Sequence, residues 1–251
     1  MKSVENMDSN KVDLRRNIYR LRLKFFKPEK FSRLQRSLFP LEDHRCIFVH
    51  IPKCAGISIS RSLFGENFDA THRSLNEYLK ILGPRKFKSY FKFTVVRNPY
   101  DRLVSAYCFL KKGGMNEQDK NWAEKNLSPY DDFDTFVKKW VNQKNIQTQI
   151  HFHPQSSFIC LQKNQPGMDF IGYYENLEAD FQHVCQKLNF NSTLLAMNRN
   201  STKGKDFREY YTDETRAIVA DVYADDINVL GYDFDNSSLQ NQLTKRDRRV
   251  A

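Results

Sequence analysis

The segment Pro52–Ser58 has the residue types of a loop that binds an anion. It reads Pro52, Lys53, Cys54, Ala55, Gly56, Ile57 and Ser58. Small side chains at Ala55 and Gly56 let backbone N–H groups approach an anion closely, and the helix that follows adds partial positive charge. Lys53 supplies a full charge and Ser58 a hydroxyl group. Because this lysine precedes the glycine, the order differs from the phosphate-binding loop of nucleoside triphosphate kinases, and a kinase is disfavoured.

Arg97 and Ser105 predict a second anion site. Arg97 follows the apolar run Phe91–Val96, and ligands of open α/β sheets bind at the carboxyl ends of strands. Ser105 lies two helical turns further along the chain, which allows its hydroxyl group to face the arginine. A guanidinium group and a hydroxyl group together suit a phosphate monoester. The alternative, in which Arg97 only pairs with Asp101 or with a helix end, stays open.

The elements that must hold these two sites alternate between strands and helices. Apolar residues 46–50 predict a buried parallel strand, followed by a helix over Ser58–Phe64. A second unit repeats this order, with a strand over Phe91–Val96 and a helix over Tyr100–Leu110. Further predictions are helices over Asp131–Val141, Phe158–Gln162, Leu177–Leu188 and Thr212–Leu230, and a short strand over Asp169–Gly172. The alternation predicts an α/β fold, a central parallel sheet flanked by helices on both faces.

Composition divides the chain into three parts. Residues 1–44 form a basic arm in which Lys and Arg alternate with Leu and Phe, and we expect a helical arm packed on the domain. An anion-facing surface is the alternative for this arm. Residues 45–235 form the main domain, within which 115–130 is a polar surface excursion. Residues 236–251 form a basic tail that we expect to be flexible.

The charge and the cysteines narrow the classes of function. Forty Lys and Arg against thirty Asp and Glu give a net charge of +10, which attracts nucleic acid, membrane surfaces, acidic polysaccharides or a polyanionic cofactor. Two compact anion sites favour a small doubly phosphorylated ligand over nucleic acid. Five cysteines without a CxxC pair predict neither a disulfide framework nor a zinc site.

Taken together and in order, the two motifs resemble those of the carbohydrate sulfotransferases. This group, sulfotransferase family 2, includes the chondroitin, dermatan, HNK-1 and heparan 2-O-sulfotransferases and bacterial relatives. The resemblance rests on Pro52–Ser58 and Arg97–Tyr107, and it extends through Tyr174–Leu177 and Tyr223–Ile227, roughly residues 45–234. It implies a P-loop-NTPase-like sheet and the co-substrate 3′-phosphoadenosine 5′-phosphosulfate (PAPS), with no metal.

The resemblance also implies roles for the two loops. The first would hold the 5′-phosphosulfate group, and Arg97 and Ser105 would hold the 3′-phosphate. Lys53 would stabilise the leaving oxygen. The family usually has Thr where this chain has Ile57, so we expect weaker donor contacts, and an inactive homologue is an alternative. The acceptor would be a carbohydrate hydroxyl group, including those of anionic polysaccharides; an anionic-polymer binding protein is the rival.

A histidine is the expected general base, because its pKa lies near neutrality. The heparan 2-O-sulfotransferase has an acceptor-side histidine between its two motifs, so the resemblance makes His72 the first choice. His151 and His153 would face one side of an extended segment, and His153 is the second choice. The basic residues Arg199 and Lys203 resemble a lid over the 3′-phosphate, with a solvated connection as the alternative.

The lengths of the apolar runs predict how the protein relates to membranes and to cellular compartments. No run of about 18 apolar residues and no signal-peptide core occurs in the sequence, which predicts the absence of a membrane span and a cytoplasmic protein. Peripheral contact with a membrane surface is still compatible with the basic charge. Animal members of the family are usually Golgi-luminal, so the Golgi lumen is the alternative if an anchor is missing from this sequence.

Overall fold

A small parallel sheet lies at the centre of the fold. A computed structural model describes residues 28–195 and 204–250, with the side chains of 36–195 and 204–248. The strands are β1 (Cys46–Val49), β2 (Phe91–Val96), β3 (Cys160–Gln162), β4 (Gln165–Pro166) and β5 (Phe170–Tyr173). The parallel sheet has the order β1-β2-β5, and β3 pairs with β4 in an antiparallel hairpin. Phe48, Phe93 and Phe170 align across the three parallel strands.

Helices surround this sheet. They are α1 (Pro28–Asp43), α2 (Gly56–Phe64), α3 (Leu75–Ser89), α4 (Pro99–Lys111), α5 (Glu117–Asn126), α6 (Phe133–Trp140), α7 (Ser156–Ile159), α8 (Leu177–Leu188), α9 (Asp213–Val222), α10 (Ala224–Leu230) and α11 (Leu239–Val250). Local sequence explains where several begin. Ser74 and Glu77 form a capping box before α3. The Asn98 side chain accepts a hydrogen bond from the Tyr100 N–H, and Pro99 starts α4.

Apolar side chains form two clusters. One surrounds the parallel sheet and includes residues of α1, α2, α3 and α8, such as Leu38 and Leu41 of α1. The other lies among α4, α5, α6 and α9, with Phe136 and Phe152 fully buried. The predicted α/β class, the parallel sheet and its flanking helices are therefore present, and both predicted strand–loop–helix units are confirmed.

Three predicted elements that precede the tail differ from the structure. The helix predicted over Phe158–Gln162 ends at Ile159, because Cys160–Gln162 turns back through Asn164 (φ 58°) to pair with β4. The helix predicted over Thr212–Leu230 is interrupted at Tyr223, whose hydroxyl group donates to the Phe152 carbonyl (2.8 Å). The polar excursion 115–130 contains α5.

The basic tail differs most. A flexible segment is expected over 236–251, but Leu239–Val250 is the helix α11. Leu239, Gln242, Leu243 and Arg246 share the face that packs on the fold. The Arg246 guanidinium group pairs with Asp180 of α8 at 2.7 Å, so this contact fixes the helix against the edge of the sheet. The division into arm, domain and tail stays a prediction.

No helix within residues 28–195 and 204–250 is both long and apolar enough to cross a membrane.

Candidate active site

The two predicted anion loops meet at one edge of the sheet. Parallel strands bring their carboxyl ends to the same edge, so the segments after β1, β2 and β5 lie side by side. The Arg97 Nη1 group donates to the Lys53 carbonyl oxygen at 3.2 Å. The same guanidinium group lies 4.1 Å from the ring centroid of Tyr174, which follows β5. These contacts bring the predicted residues Lys53 and Arg97 together.

The first loop has a strained backbone. Lys53 (φ 70°) and Ala55 (φ 59°) both adopt the left-handed conformation, which is costly for residues with a Cβ atom. Helix α2 then begins at Gly56, and no side chain caps its N-terminus. Its first backbone N–H groups have no acceptor within the helix, and they carry the partial positive charge of the helix dipole. This geometry suits an anion at the start of α2.

The Lys53 side chain lies inside the site. Its Nζ atom is 3.9 Å from the ring centroid of Phe109 on α4. Burial, together with the charge of Arg97, lowers the pKa of Lys53 to about 8. The ammonium group is therefore only moderately stable in the free protein, and an anionic ligand would favour its charged form.

Gly56 has a second role that the sequence did not reveal. A Cβ atom at this position would lie 1.7 Å from Cδ2 and 2.1 Å from Nε2 of His50. The imidazole ring of His50 therefore occupies the space that any side chain at position 56 would need. Glycine is required here for this close packing, in addition to any approach of an anion.

Arg97 pairs with Asp101 as the structural alternative predicted. Its Nε donates to Oδ2 at 2.7 Å and its Nη2 to Oδ1 at 2.8 Å, which is a bidentate ion pair along α4. Ser105 is buried two turns further along the same helix, with 2 % of its surface exposed. The pair with Asp101 fixes the plane of the guanidinium group, and the role of Ser105 stays a prediction.

A buried glutamine, which the sequence did not single out, holds the second loop. The Gln155 Oε1 accepts from the Arg97 N–H at 2.9 Å, and its Nε2 donates to the Arg97 carbonyl at 2.7 Å. The Asp226 carboxylate in turn accepts from the backbone N–H groups of Gln155 (2.7 Å) and Ser156 (2.8 Å). Asp226 lies in the motif Tyr223–Ile227, so the resemblance contained a signal for it that no local pattern supplied.

Arg102 links the first loop to the histidine segment. Its Nε donates to the Pro52 carbonyl and its Nη1 to the His153 carbonyl, both at 2.9 Å. The side chain is almost fully buried and its Nη2 has no partner among the described residues. A buried guanidinium group is costly unless it is hydrogen-bonded, so these two contacts hold the segments together.

Three histidines meet beside Lys53. The ring centroids of His50 and His72 are 4.3 Å apart, and those of His72 and His151 are 6.2 Å apart. The ring of His151 is 4.9 Å from Phe109, the residue that contacts Lys53. The predicted base His72 is thus in the site, and the sequence missed His50.

His151 and His153 do not face the same side. The predicted extended segment is wrong, because Ile150–Phe152 forms a 3₁₀ turn. His151 is buried toward Phe109, whereas Nε2 of His153 contacts the Gln147 carbonyl oxygen at 3.0 Å. Nε2 of His153 is therefore occupied by the Gln147 carbonyl.

Burial sets the charge state of the histidines. It lowers the pKa of His72, and it lowers the pKa of His151 to about 3, with neighbouring cations acting in the same direction. Both rings are neutral at neutral pH, the form that can accept a proton. Burial also raises the pKa of Cys54 to about 12, so its thiol is protonated and is no nucleophile.

Two other expectations concern the lid and metals. Arg199 and Lys203 lie outside the described residues. In the described part of the chain, no group of three or more His, Cys, Asp or Glu side chains has the geometry to hold a metal ion.

Comparison with known proteins identifies the family. Residues 36–233 match the profile of the Sulfotransferase family. The chain belongs to this family. It is 29% identical over 178 residues to carbohydrate sulfotransferase 11 of Mus musculus, covering 58% of this chain and 51% of the relative. It is 28% identical over 178 residues to carbohydrate sulfotransferase 14 of Mus musculus, covering 61% of this chain and 46% of the relative.

A third relative is an uncharacterized protein of Archaeoglobus fulgidus, 36% identical over 108 residues, covering 43% of this chain and 74% of the relative. The chain spans about half the length of the carbohydrate sulfotransferases it matches. No solved structure matches it significantly. The matched range 36–233 includes both loops, and the predicted sulfotransferase family is confirmed.

Proposed function

We propose that this sulfotransferase family member transfers a sulfuryl group from PAPS to a carbohydrate hydroxyl group. The observation that carries the proposal is the hydrogen bond from Arg97 to the Lys53 carbonyl, because it joins two cationic loops at one sheet edge. A donor with anionic groups at both ends requires such a pair. The names of the relatives support a carbohydrate acceptor.

The first loop would bind the 5′-phosphosulfate group. Strand β1, the loop and helix α2 would act as a P-loop-NTPase-like unit, in which the N–H groups at the uncapped start of α2 would face the anion. Ile57 lies in the first turn of α2, so its backbone N–H is available although the usual threonine hydroxyl group is missing. This supports an active enzyme over an inactive homologue.

Arg97 would bind the 3′-phosphate together with Ser105. A guanidinium group has five N–H donors, and the contacts with Asp101 and Lys53 use three of them. Within residues 28–195 and 204–250, these contacts leave two donors on the fixed guanidinium plane for a ligand. Arg199 and Lys203 would close over the same phosphate from the segment that follows α8.

Lys53 would stabilise the leaving group. Sulfuryl transfer, like phosphoryl transfer, needs in-line attack and neutralised charge more than covalent help from the protein. The acceptor oxygen forms a bond to sulfur, and the bond from sulfur to the bridging oxygen breaks with its electron pair moving to the 5′-phosphate. The Lys53 ammonium group would compensate this charge, and the anion would in turn raise the lowered pKa of Lys53 and keep the group protonated.

His72 would accept the proton of the acceptor hydroxyl group. Its Nδ1 lies 2.9 Å from the His50 carbonyl oxygen, which selects the tautomer with a proton on Nδ1. The Nε2 lone pair is then free to take the acceptor proton. His153 is a weaker candidate, since its Nε2 faces the Gln147 carbonyl.

The acceptor class follows from charge as well as from the relatives. A net charge of +10 suits an anionic polysaccharide, although it would also suit a polymer-binding protein without activity. Peripheral membrane contact and a cytoplasmic location stay predictions from the sequence.

Titration with adenosine 3′,5′-bisphosphate and with ATP tests the donor site. We expect micromolar affinity for the bisphosphate and none for ATP, because the site has two separated anion loops and no kinase-type lysine. Lys53→Ala should reduce PAPS-dependent sulfation of a polysaccharide panel by about 10²–10³-fold. Lys88→Ala is the control, since this exposed lysine precedes β2 at the opposite edge of the sheet. Tight ATP binding, or normal turnover by Lys53→Ala, would contradict the proposal.

A further inference from the structure

A buried carboxylate lies next to the histidines. Asp119, in the first turn of α5, has 8 % of its surface exposed, and its Oδ1 is 3.5 Å from Nε2 of His151. The other oxygen, Oδ2, accepts a hydrogen bond from the Met115 N–H at 3.1 Å. At Gly114 a Cβ atom would lie 2.2 Å from the Asp119 Cβ, so the carboxylate is packed against this turn. Asp119 is therefore held in a fixed position.

His151 has one nitrogen facing the carboxylate and one without a partner. Its Nδ1 is buried and has no hydrogen-bond partner among the described residues. The contact at Nε2 is longer than an ordinary hydrogen bond, but such contacts tighten when the imidazole becomes charged or the substrate binds. The arrangement resembles a carboxylate that orients an imidazole through one nitrogen and leaves the second nitrogen without a partner among the described residues.

We propose that Asp119, acting through His151, is a positioning residue that stabilises the protonated form of His72. The contacts of the Asp119 carboxylate are with His151 and the Met115 N–H, so its effect would be exerted on the base. The inference rests on the proposed sulfuryl transfer.

The charged groups around His72 explain why the Asp119 carboxylate would matter. The titratable and charged groups whose charge acts on His72 or His151 are Lys53, Arg102, His50, His153 and Asp119. All of them except Asp119 are cationic or become cationic on protonation. When His72 takes a proton, Asp119 is the anion in this set that opposes the resulting positive charge.

The chemical step accounts for every proton. The acceptor O–H proton moves to Nε2 of His72 as the oxygen bonds to sulfur, and the leaving 5′-phosphate takes the electron pair of the broken bond. The imidazolium ring of His72 then lies near His151, whose Nε2 proton is directed at the Asp119 carboxylate. The proton leaves His72 for solvent when the product departs.

The test is the pH profile of kcat/KM for Asp119→Asn, with PAPS as donor and unsulfated chondroitin, desulfated dermatan and desulfated heparan as acceptors. Loss of the negative charge lowers the pKa of His72, so the acid limb should move to lower pH. The plateau should fall by about 10-fold, a part of the 10²–10⁴ that a general base contributes. The Kd for adenosine 3′,5′-bisphosphate should change less than twofold.

Glu117→Gln is the matched control. It removes a carboxylate from the same first turn of α5, but Glu117 is exposed and does not contact His151. Its pH profile should overlay that of the wild type. A profile of Asp119→Asn that also overlays the wild type would overturn the proposal.

A double-mutant cycle separates positioning from folding. His151→Gln removes the link, so Asp119→Asn should have a clearly smaller effect on kcat/KM in that background than in the wild type. Fully additive losses would overturn the proposal, even if one of the single variants is less stable.

Nitrogen-15 chemical shifts of the histidine side chains, recorded on the full chain against pH, test the coupling of Asp119 to His72 separately from the proposed sulfuryl transfer. A lower pKa of His72 in Asp119→Asn supports the coupling, and an unchanged pKa contradicts it. Absence of bisphosphate binding or of PAPS turnover in the wild type would instead contradict the proposed function.

Discussion

The donor edge and the histidine cluster, two regions of the site, differ in how their buried polar atoms are held. The backbone groups of Arg97 are paired in the first region, and ring nitrogens are unpaired among the described residues in the second. We use donor edge for the loops at Lys53 and Arg97, where Gln155 binds both the N–H and the carbonyl of Arg97. We use histidine cluster for His50, His72 and His151. Nδ1 atoms of His50 and His151 are buried there without a partner among the described residues.

This difference separates a fixed binding site from a reactive one. Buried polar atoms are nearly always hydrogen-bonded, and those that are not tend to mark catalytic or ligand sites. The backbone and the guanidinium plane of Arg97 are fixed before a ligand arrives, which lowers the cost of binding an anion. The histidine cluster keeps nitrogen lone pairs without partners, which suits groups that take up protons.

The two regions touch at Gly56, so Gly56→Ala tests whether they can be separated. The added Cβ atom would overlap the ring of His50, which stacks on Phe48 and lies against His72 and therefore cannot rotate freely. We expect a loss of about 3 kcal/mol or more in the free energy of unfolding, at the upper end for overpacking. Denaturant unfolding measures it, together with the Kd for adenosine 3′,5′-bisphosphate.

A second substitution provides the control for this prediction. In Gly56→Ala/His50→Ala the ring is gone, and stability should recover relative to Gly56→Ala alone. Failure to recover would show that glycine is needed for the loop conformation itself and not for the packing of His50.

Gln155→Leu tests whether the two hydrogen bonds from Gln155 to the Arg97 backbone fix the donor edge. The substitution preserves volume but leaves the N–H and carbonyl groups of Arg97 without their partner. We expect a loss of about 2 kcal/mol in the free energy of unfolding and weaker bisphosphate binding. Gln186→Leu, at an exposed position of α8, should change neither. If Gln155→Leu binds the bisphosphate normally, the glutamine has a structural role only.

The sequence predicted the donor edge better than the histidine cluster, for a physical reason. Each donor loop is a local strand–loop–helix motif, so Lys53 and Arg97 could be recognised from neighbouring residues and from the strand-end rule. His50, Asp119 and His151 come from three distant segments, and only the tertiary fold brings them together.

Helix boundaries could likewise be predicted where local sequence sets them, and not where tertiary contacts do. Leu177–Leu188 was predicted from its own periodicity and is confirmed residue for residue. The break at Tyr223 and the docking of α11 depend on contacts with Phe152 and Asp180, which no local pattern contains. The apolar spacing in α11 was visible, but the high charge of the segment suggested a solvated tail.

Lys53→Met tests the cost of keeping a charge at the donor edge. We expect a smaller change in the free energy of unfolding than for Gly56→Ala or Gln155→Leu. The folded pKa of Lys53 is about 8, below the ordinary value of 10.5, so the unfolded chain binds more protons between these two values. The buried charge therefore destabilises the free protein fully below pH 8, and this penalty disappears as pH rises toward 10.5. Lys53→Met should be more stable than the wild type at pH 7 by on the order of 1 kcal/mol, since solvent screens part of the charge.

The difference in stability between Lys53→Met and the wild type should narrow above pH 8 and vanish near pH 10.5. Denaturant unfolding across this range measures it, and Lys88→Met, at an exposed position, should show no such pH dependence. Saturating adenosine 3′,5′-bisphosphate should reverse the order at pH 7, because the wild type binds the ligand more tightly and therefore gains more stability from it. If the variant is less stable than the wild type at pH 7 without ligand, the lysine is paired in the free protein, and the donor edge is not held ready for an anion.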